Sequence, residues 1–223
     1  FFERRDKIAW SRRTNEWGFE KTFLTVPADG GWCYMKIEKI FVVGSGLMGG
    51  GITQVSAQAG YKVTMHDVKR EFCDKGLEAI KFSLGKFLQK EKISQDHHDA
   101  ALSNISTTTS LEDAKDADLV VEAVFEKLEV KKEVFGKLDK ICPPESILAT
   151  NTSAIPISNI AGATQRVDKV VGTHFFSPVP LMRLCEIITG VQTSDETIAT
   201  AKTWAESVGK TTVLVKKDHA GFI

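Results

Sequence analysis

The stretch FVVGSGLMGGGITQVSAQAG, residues Phe41 to Gly60, decides the fold. Five glycines fall within the eight residues Gly44 to Gly51, directly behind three apolar ones. Glycine weakens strands and helices alike, so such a cluster belongs where backbone turns sharply or approaches something closely. Before it, Lys39 to Val43 is apolar and β-branched; after it, Ile52, Val55, Ser56 and Ala59 recur at helical spacing. The order is strand, glycine turn, helix. Within the turn, Gly44, Gly46 and Gly49, with Leu47 and Met48 between them, fit G-x-G-x-x-G. That pattern lays a dinucleotide pyrophosphate on the amides and positive end of a helix N-terminus.

A glycine turn alone also arises from packing, so the second half of the pattern carries the decision. Tyr61 to Met65 forms a second strand that ends at His66 and Asp67, about 20 residues beyond the glycines, where an acid accepts hydrogen bonds from an adenosine ribose. The charge of Asp67 repels a ribose phosphate and so favours NAD. Lys69 and Arg70 follow closely and leave NADP open.

The 223 residues suffice for one large domain or two small ones. With 29 basic and 29 acidic residues, the chain has no electrostatic footprint for nucleic acid or an anionic membrane, and no apolar run reaches the length of a membrane span. Cys33, Cys73, Cys142 and Cys185 are far apart and form no C-x-x-C pair, which suits free thiols in a reducing compartment. The expected location is the cytoplasm, with no nucleic acid or membrane as partner.

Residues 1–34 differ from the rest. They hold Trp10, Trp17 and Trp32 and the pairs Arg4 Arg5 and Arg12 Arg13, without clear periodicity, while their acids argue against a transit peptide. Met35 opens MKIEKIFVVGSG, so residues 1–34 are expected to be an extension outside the fold, disordered or arising from start-site choice. Residues 35–223 form the nucleotide-binding unit in this division. At the other end, KKDHAGFI stops in mid-pattern.

Between the ends, apolar strands alternate with helical stretches. Leu77, Ile80, Leu84, Phe87 and Leu88 mark a long amphipathic helix, and Ile105 to Thr108 a short strand. Asp118 to Val124 is a buried-type strand, followed by a charged helix over Lys127 to Lys140 that Pro143 and Pro144 terminate. Ser146 to Thr150 and Lys169 to Phe176 are further strands. The alternation predicts an α/β fold, Rossmann-like and doubly wound, with a mostly parallel sheet and helices on both faces.

Ligands of such sheets gather beyond the carboxyl ends of the strands. Glu122 and Lys127 follow one strand, Asn151, Thr152 and Ser153 another, and His174 lies at the end of a third. Taken singly, NTS reads equally well as a capped turn, and His174 beside Phe175 and Phe176 as a core histidine. In THFFSPVPLMRLCEII, however, Pro178 and Pro180 force an irregular turn before LCEII resumes a strand, which returns Glu186 beside His174. A carboxylate against an imidazole fixes its tautomer and favours the imidazolium, which makes a general base; a structural ion pair is the alternative. In QDHHD, His97 and His98 diverge by about 100° on a helix and cannot readily share a metal, so a solvated helix face is expected and no metal site.

Together, GSGLMGGGITQVSAQAG, DLVVEAVFEKLEVKKEVF, ATNTSAIPI, HFFSPVPLMRLCEII and the terminal GFI resemble the L-3-hydroxyacyl-CoA dehydrogenases, especially the short bacterial 3-hydroxybutyryl-CoA dehydrogenases. The similarity runs from Met35 to Ile223. It implies NAD-dependent interconversion of a (3S)-3-hydroxyacyl-CoA and the 3-ketoacyl-CoA, in fatty acid β-oxidation or butyrate metabolism. It also implies a C-terminal helical domain, absent from this chain, through which the intact protein forms a homodimer. His174 then matches the catalytic base, Glu186 its partner, and Ser153 the serine that bonds the substrate's C3 oxygen. Asp67, Glu122 and Lys127 match NAD-contacting positions, and Ser83 and Lys90 acyl-CoA contacts. Where the family commonly has asparagine after HFF, this chain has Ser177, a shorter group toward the nicotinamide. The 3-hydroxyisobutyrate and 6-phosphogluconate dehydrogenases share a G-x-G-x-M-G turn, but their catalytic lysine motif has no match. A structural protein of the lambda-crystallin type and one domain of a fused β-oxidation protein remain as alternatives.

Overall fold

The computed structural model describes residues 10–14, 20–24 and 35–218. The chain divides into two units, residues 1–34 and 35–223. In the first, β1 (Trp10–Thr14) pairs antiparallel with β2 (Glu20–Leu24), Trp10 opposite Leu24 and Thr14 opposite Glu20. Regular pairing thus occurs in a segment whose sequence shows no clear periodicity. Cys33 and the terminal GFI lie outside the described residues.

The second unit opens with β3 (Lys39–Val43), then α1 (Leu47–Gln58), β4 (Lys62–His66), α2 (Arg70–Gln89), α3 (Gln95–Ser103) and β5 (Ile105–Thr108). It continues through β6 (Leu119–Glu122), α4 (Leu128–Ile141), β7 (Ile147–Thr150), α5 (Ile157–Ala161), β8 (Val170–Phe175), β9 (Leu184–Thr189), α6 (Asp195–Ser207) and β10 (Thr211–Val215). Among the described residues the strands form one eight-stranded sheet in the order β10-β9-β8-β7-β6-β3-β4-β5. Every neighbouring pair is parallel except β8 with β9. The order reverses at β3 and β6, the switch point at which such sheets bind ligands.

The central strands are buried on both faces, as a sheet covered on each side requires. β6 and β7 are buried throughout, and β3 is buried after Lys39. Alternate residues feed two cores. Ile40, Val42, Val121, Ala149 and Phe175 join Ile52 and Val55 of α1 and Trp204 of α6 on one face; Phe41, Val43, Val120 and Leu148 join Phe135 and Leu138 of α4 and Ile157 of α5 on the other. A smaller core under α2 and α3 is built on Met65, Ile80, Leu84 and Ala101. The QDHHD segment departs from a solvated face. His98 pairs with Asp99 at 2.8 Å, but His97 is buried, because α3 lays that side against the end of α1. Among the described residues no three metal-ligating groups cluster, and no helix is long and apolar enough to cross a membrane.

Candidate functional site

The strands' carboxyl ends are tied together by main-chain bonds that cross the switch point. Gly44 N donates to the His66 carbonyl, Ala123 N to that of Val43, and Asn151 N to that of Glu122, each at 2.8 Å. The loops that follow therefore leave from one rigid rim. Three glycines of the first loop serve three purposes. Gly44 has φ +105°, in the left-handed region, and a Cβ there would lie 2.6 Å from the Ala123 carbonyl. A Cβ on Gly49 would lie 1.8 Å from the Gly44 carbonyl, so only glycine lets α1 start this close to β3. A Cβ on Gly46 would meet nothing within 4 Å, so that glycine leaves open space in front of the helix.

Gly46 caps α1 without a side-chain bond, whereas Ser94 and Ser194 cap α3 and α6 with theirs. The first amides of α1 therefore face the opening unclaimed by a capping side chain, with Leu47 exposed and Met48 half-buried beside them. Asp67, one residue past β4, braces the turn. Its Oδ2 accepts from Ser45 N at 2.9 Å and Ser45 Oγ at 2.7 Å, and its Oδ1 from Val68 N at 2.8 Å. An anion-binding helix start, an open glycine and a half-buried acid at the neighbouring strand end fit a dinucleotide.

Farther along the rim, β8 and β9 run antiparallel with His174 directly opposite Glu186. His174 Nδ1 lies 2.7 Å from Glu186 Oε2, and the carboxylate side chain is 1% exposed. A carboxylate only accepts, so in the neutral imidazole Nδ1 carries the proton and Nε2 presents its lone pair. Nε2 faces Ser153 Oγ at 3.1 Å. The imidazole is 15% exposed and tilts against the Phe176 ring, 4.6 Å between centroids. Ser153, His174 and Glu186 thus form one line at this rim, with Glu186 beside His174.

Ser153 is held by a group that sequence analysis missed. Glu126 Oε1 accepts from Thr152 Oγ1 at 2.5 Å, Ser153 N at 2.9 Å and Ala154 N at 3.1 Å, gripping the turn after β7. Its other oxygen is 3.3 Å from Lys131 Nζ. Burial pushes the Glu126 carboxyl up, but the Thr152 hydroxyl, the Lys131 charge and the Ser153 amide outweigh it and bring it below the usual carboxylate range. Lys131, on α4, is fully buried and donates to Glu122 Oε1 at 2.7 Å. Glu122 also accepts from Val124 N and, through Oε2, from Thr150 Oγ1, each at 2.7 Å. Glu122 is 0% exposed with both oxygens engaged by the protein. Lys127 is the exposed N-cap of α4, and the lysine joined to the site is Lys131, one turn on. The i,i+4 spacing of both the acids and the lysines was the available signal.

Asn151 supplies a second brace, its Oδ1 accepting from Phe175 N at 2.9 Å next to the imidazole. Ser177 is exposed beyond Phe176. Ser83 is half-buried on α2, and Lys90, its C-cap, is exposed.

A doubly wound sheet with an open glycine turn, an acid on the next strand and a hydroxyl–imidazole–carboxylate line at the same rim defines a dinucleotide-binding α/β domain equipped for proton transfer. The chain belongs to the 3-hydroxyacyl-CoA dehydrogenase family, whose NAD-binding domain matches residues 39–219. It is 48% identical over 185 residues to a protein of Deinococcus radiodurans described as a probable 3-hydroxybutyryl-CoA dehydrogenase, covering 83% of this chain and 66% of that one. It is 42% identical over 185 residues to the 3-hydroxybutyryl-CoA dehydrogenase of Clostridioides difficile, with the same coverage. The crystal structure of (S)-3-hydroxybutyryl-CoA dehydrogenase from Ralstonia eutropha superposes with a TM-score of 0.79 at 38% identity, covering 81% of this chain and 64% of that one. The chain spans just under two thirds of the length of these relatives, 66% for the two curated ones.

Proposed function

We propose that the protein interconverts (3S)-3-hydroxyacyl-CoA, with 3-hydroxybutyryl-CoA as the leading substrate, and the corresponding 3-ketoacyl-CoA. NAD, held by the Gly44–Gly49 turn and Asp67, supplies the hydride acceptor at its nicotinamide. In oxidation His174 Nε2 removes the hydroxyl proton, and Glu186 stabilises the imidazolium that results; in reduction the same nitrogen returns the proton. Ser153 Oγ, 3.1 Å from Nε2, holds the reacting oxygen in line with the base. Ser83 and Lys90 receive the acyl-CoA, and Ser177 lies toward the nicotinamide. The observation that carries the proposal is the directly opposed His174–Glu186 rung with Ser153 on the far side of the ring.

The division into residues 1–34 outside the fold and 35–223 as the nucleotide-binding unit belongs to the same proposal. So do a cytoplasmic location and a homodimer made through a C-terminal helical domain of the whole protein. The relatives' greater length supports a further domain in the whole protein.

NADH-linked turnover of acetoacetyl-CoA by the whole protein tests the reaction. His174→Gln lowers turnover by roughly 100-fold or more, the scale for a positioned acid–base group, while NADH affinity stays nearly unchanged. Near-normal turnover in that variant would return His174 to the role of a core residue.

A further inference from the structure

The loop that joins the two strands of the catalytic pair is held from outside by a residue with no part in the reaction described above. Lys210, immediately before β10, is 8% exposed. Its ammonium donates to the Val179 carbonyl at 2.5 Å and the Met182 carbonyl at 2.9 Å. Both of these partners are carbonyls, although a buried lysine ordinarily has a carboxylate. Burial pushes the ammonium below the usual lysine value, against a smaller opposing effect of Cys185. Keeping a charge there serves a purpose that an apolar side chain could not: it joins two carbonyls that the loop itself leaves unpaired.

The other side of this loop rests on the helix that begins at the glycine turn. Val179 is 2% exposed, and a Cβ added to Gly51 of α1 would lie 2.8 Å from Val179 Cβ and 3.6 Å from Pro180 Cδ. Between these supports the loop closes on itself, with Leu181 N and Met182 N both donating to the Pro178 carbonyl, at 2.9 and 3.0 Å. Ser177 leads into the loop, next to the Phe176 ring that lies on His174.

We propose that Lys210 is a positioning residue for the nicotinamide half of the cofactor. By binding the Val179 and Met182 carbonyls it keeps the Ser177–Met182 loop seated on α1, and so sets the width of the space between the glycine turn and His174. The adenosine half, at Asp67, lies outside its influence. The inference deepens the proposed function and rests on its placement of the nicotinamide beside His174.

The test compares NADH with ADP-ribose, which lacks the nicotinamide, by titrating each against the full chain. Lys210→Met keeps the length of the side chain but removes its donors. It weakens NADH binding roughly tenfold, the scale for leaving buried carbonyls unpaired, and leaves ADP-ribose affinity within about twofold. Lys210→Arg, which retains donors, recovers much of the loss. Gly51→Ala pushes the loop from its opposite side and produces the same selective loss. Equal weakening of both ligands, or of neither, in folded Lys210→Met overturns the proposal. If that variant fails to fold, the same ratio in Gly51→Ala decides. A parent protein that binds both ligands but does not turn over acetoacetyl-CoA defeats the proposed function instead, and leaves this comparison intact.

Discussion

At the scale of single residues, the site shows how one side chain does two things at once. Asp67 holds Ser45 by two bonds, and in the proposed function it also sets a negative charge against a ribose phosphate. The two roles separate by substitution. Asp67→Asn keeps an acceptor for the turn but removes the repulsion, so the preference for NAD over NADP narrows by roughly tenfold or more, since juxtaposed like charges cost several kcal/mol. The ratio of the two dissociation constants measures it; an unchanged ratio assigns specificity to Lys69 and Arg70. The glycine turn, Asp67 and Ser153 were legible in the sequence because each follows a strand whose end an apolar run marks, and Glu186 was placed beside His174 by the turn that Pro178 and Pro180 impose. Glu126 and Lys131 were not. Glu122 and Glu126, and Lys127 and Lys131, each stand four residues apart in EAVFEKLEVK, a spacing that groups them but does not tell which lysine the start of α4 turns inward.

At the scale of elements, α4 fastens β6 to the turn after β7 through Lys131. Its ammonium is buried between Glu122 and Glu126, and the second of these grips Thr152, Ser153 and Ala154. Removing the lysine strands a carboxylate that is 0% exposed. Lys131→Met therefore destabilises the fold by about 3–5 kcal/mol, the range for breaking a buried pair by deleting one partner. Chemical denaturation checks it, and a loss below about 1 kcal/mol would mean that the pair contributes no more than an exposed ion pair does. Most elements were predictable because a parallel sheet buried on both faces writes continuous apolar runs separated by turn residues. The hairpin of β1 and β2 was not, since a two-stranded ribbon imposes no such run.

At the scale of the whole molecule, two histidines outside the Ser153–His174–Glu186 line link folding to pH. His66, at the end of β4, is buried against Phe41; His97 is buried where α3 meets α1. Burial is the largest influence on each and holds both below the usual value of 6.5, against smaller opposing effects of Asp67, the Thr109 carbonyl and Asp113 on His66, and of the Gln58 carbonyl on His97. A histidine depressed in the folded state stabilises the fold while neutral. That contribution is complete above the unfolded value near 6.5 and disappears as pH falls through the lower folded value. The denaturation midpoint therefore drops between pH 7.5 and about 5.5, and replacing both histidines with leucine flattens the drop. An equally steep fall in the double variant would assign the acid sensitivity to the carboxylates.

The antiparallel pairing of β9 with β8 makes the proposed catalytic pair a rung of the sheet, His174 opposite Glu186. Side chains alternate faces along a strand, so a slip of one residue in this pairing turns Glu186 away from the imidazole entirely. Under the proposed function, chemistry is thereby conditional on correct assembly of the sheet's last strands. A chain whose β9 pairs out of step still offers its glycine turn to NAD, yet stays silent in turnover, so the ratio of turnover to cofactor binding works as a gauge of folding fidelity at that edge.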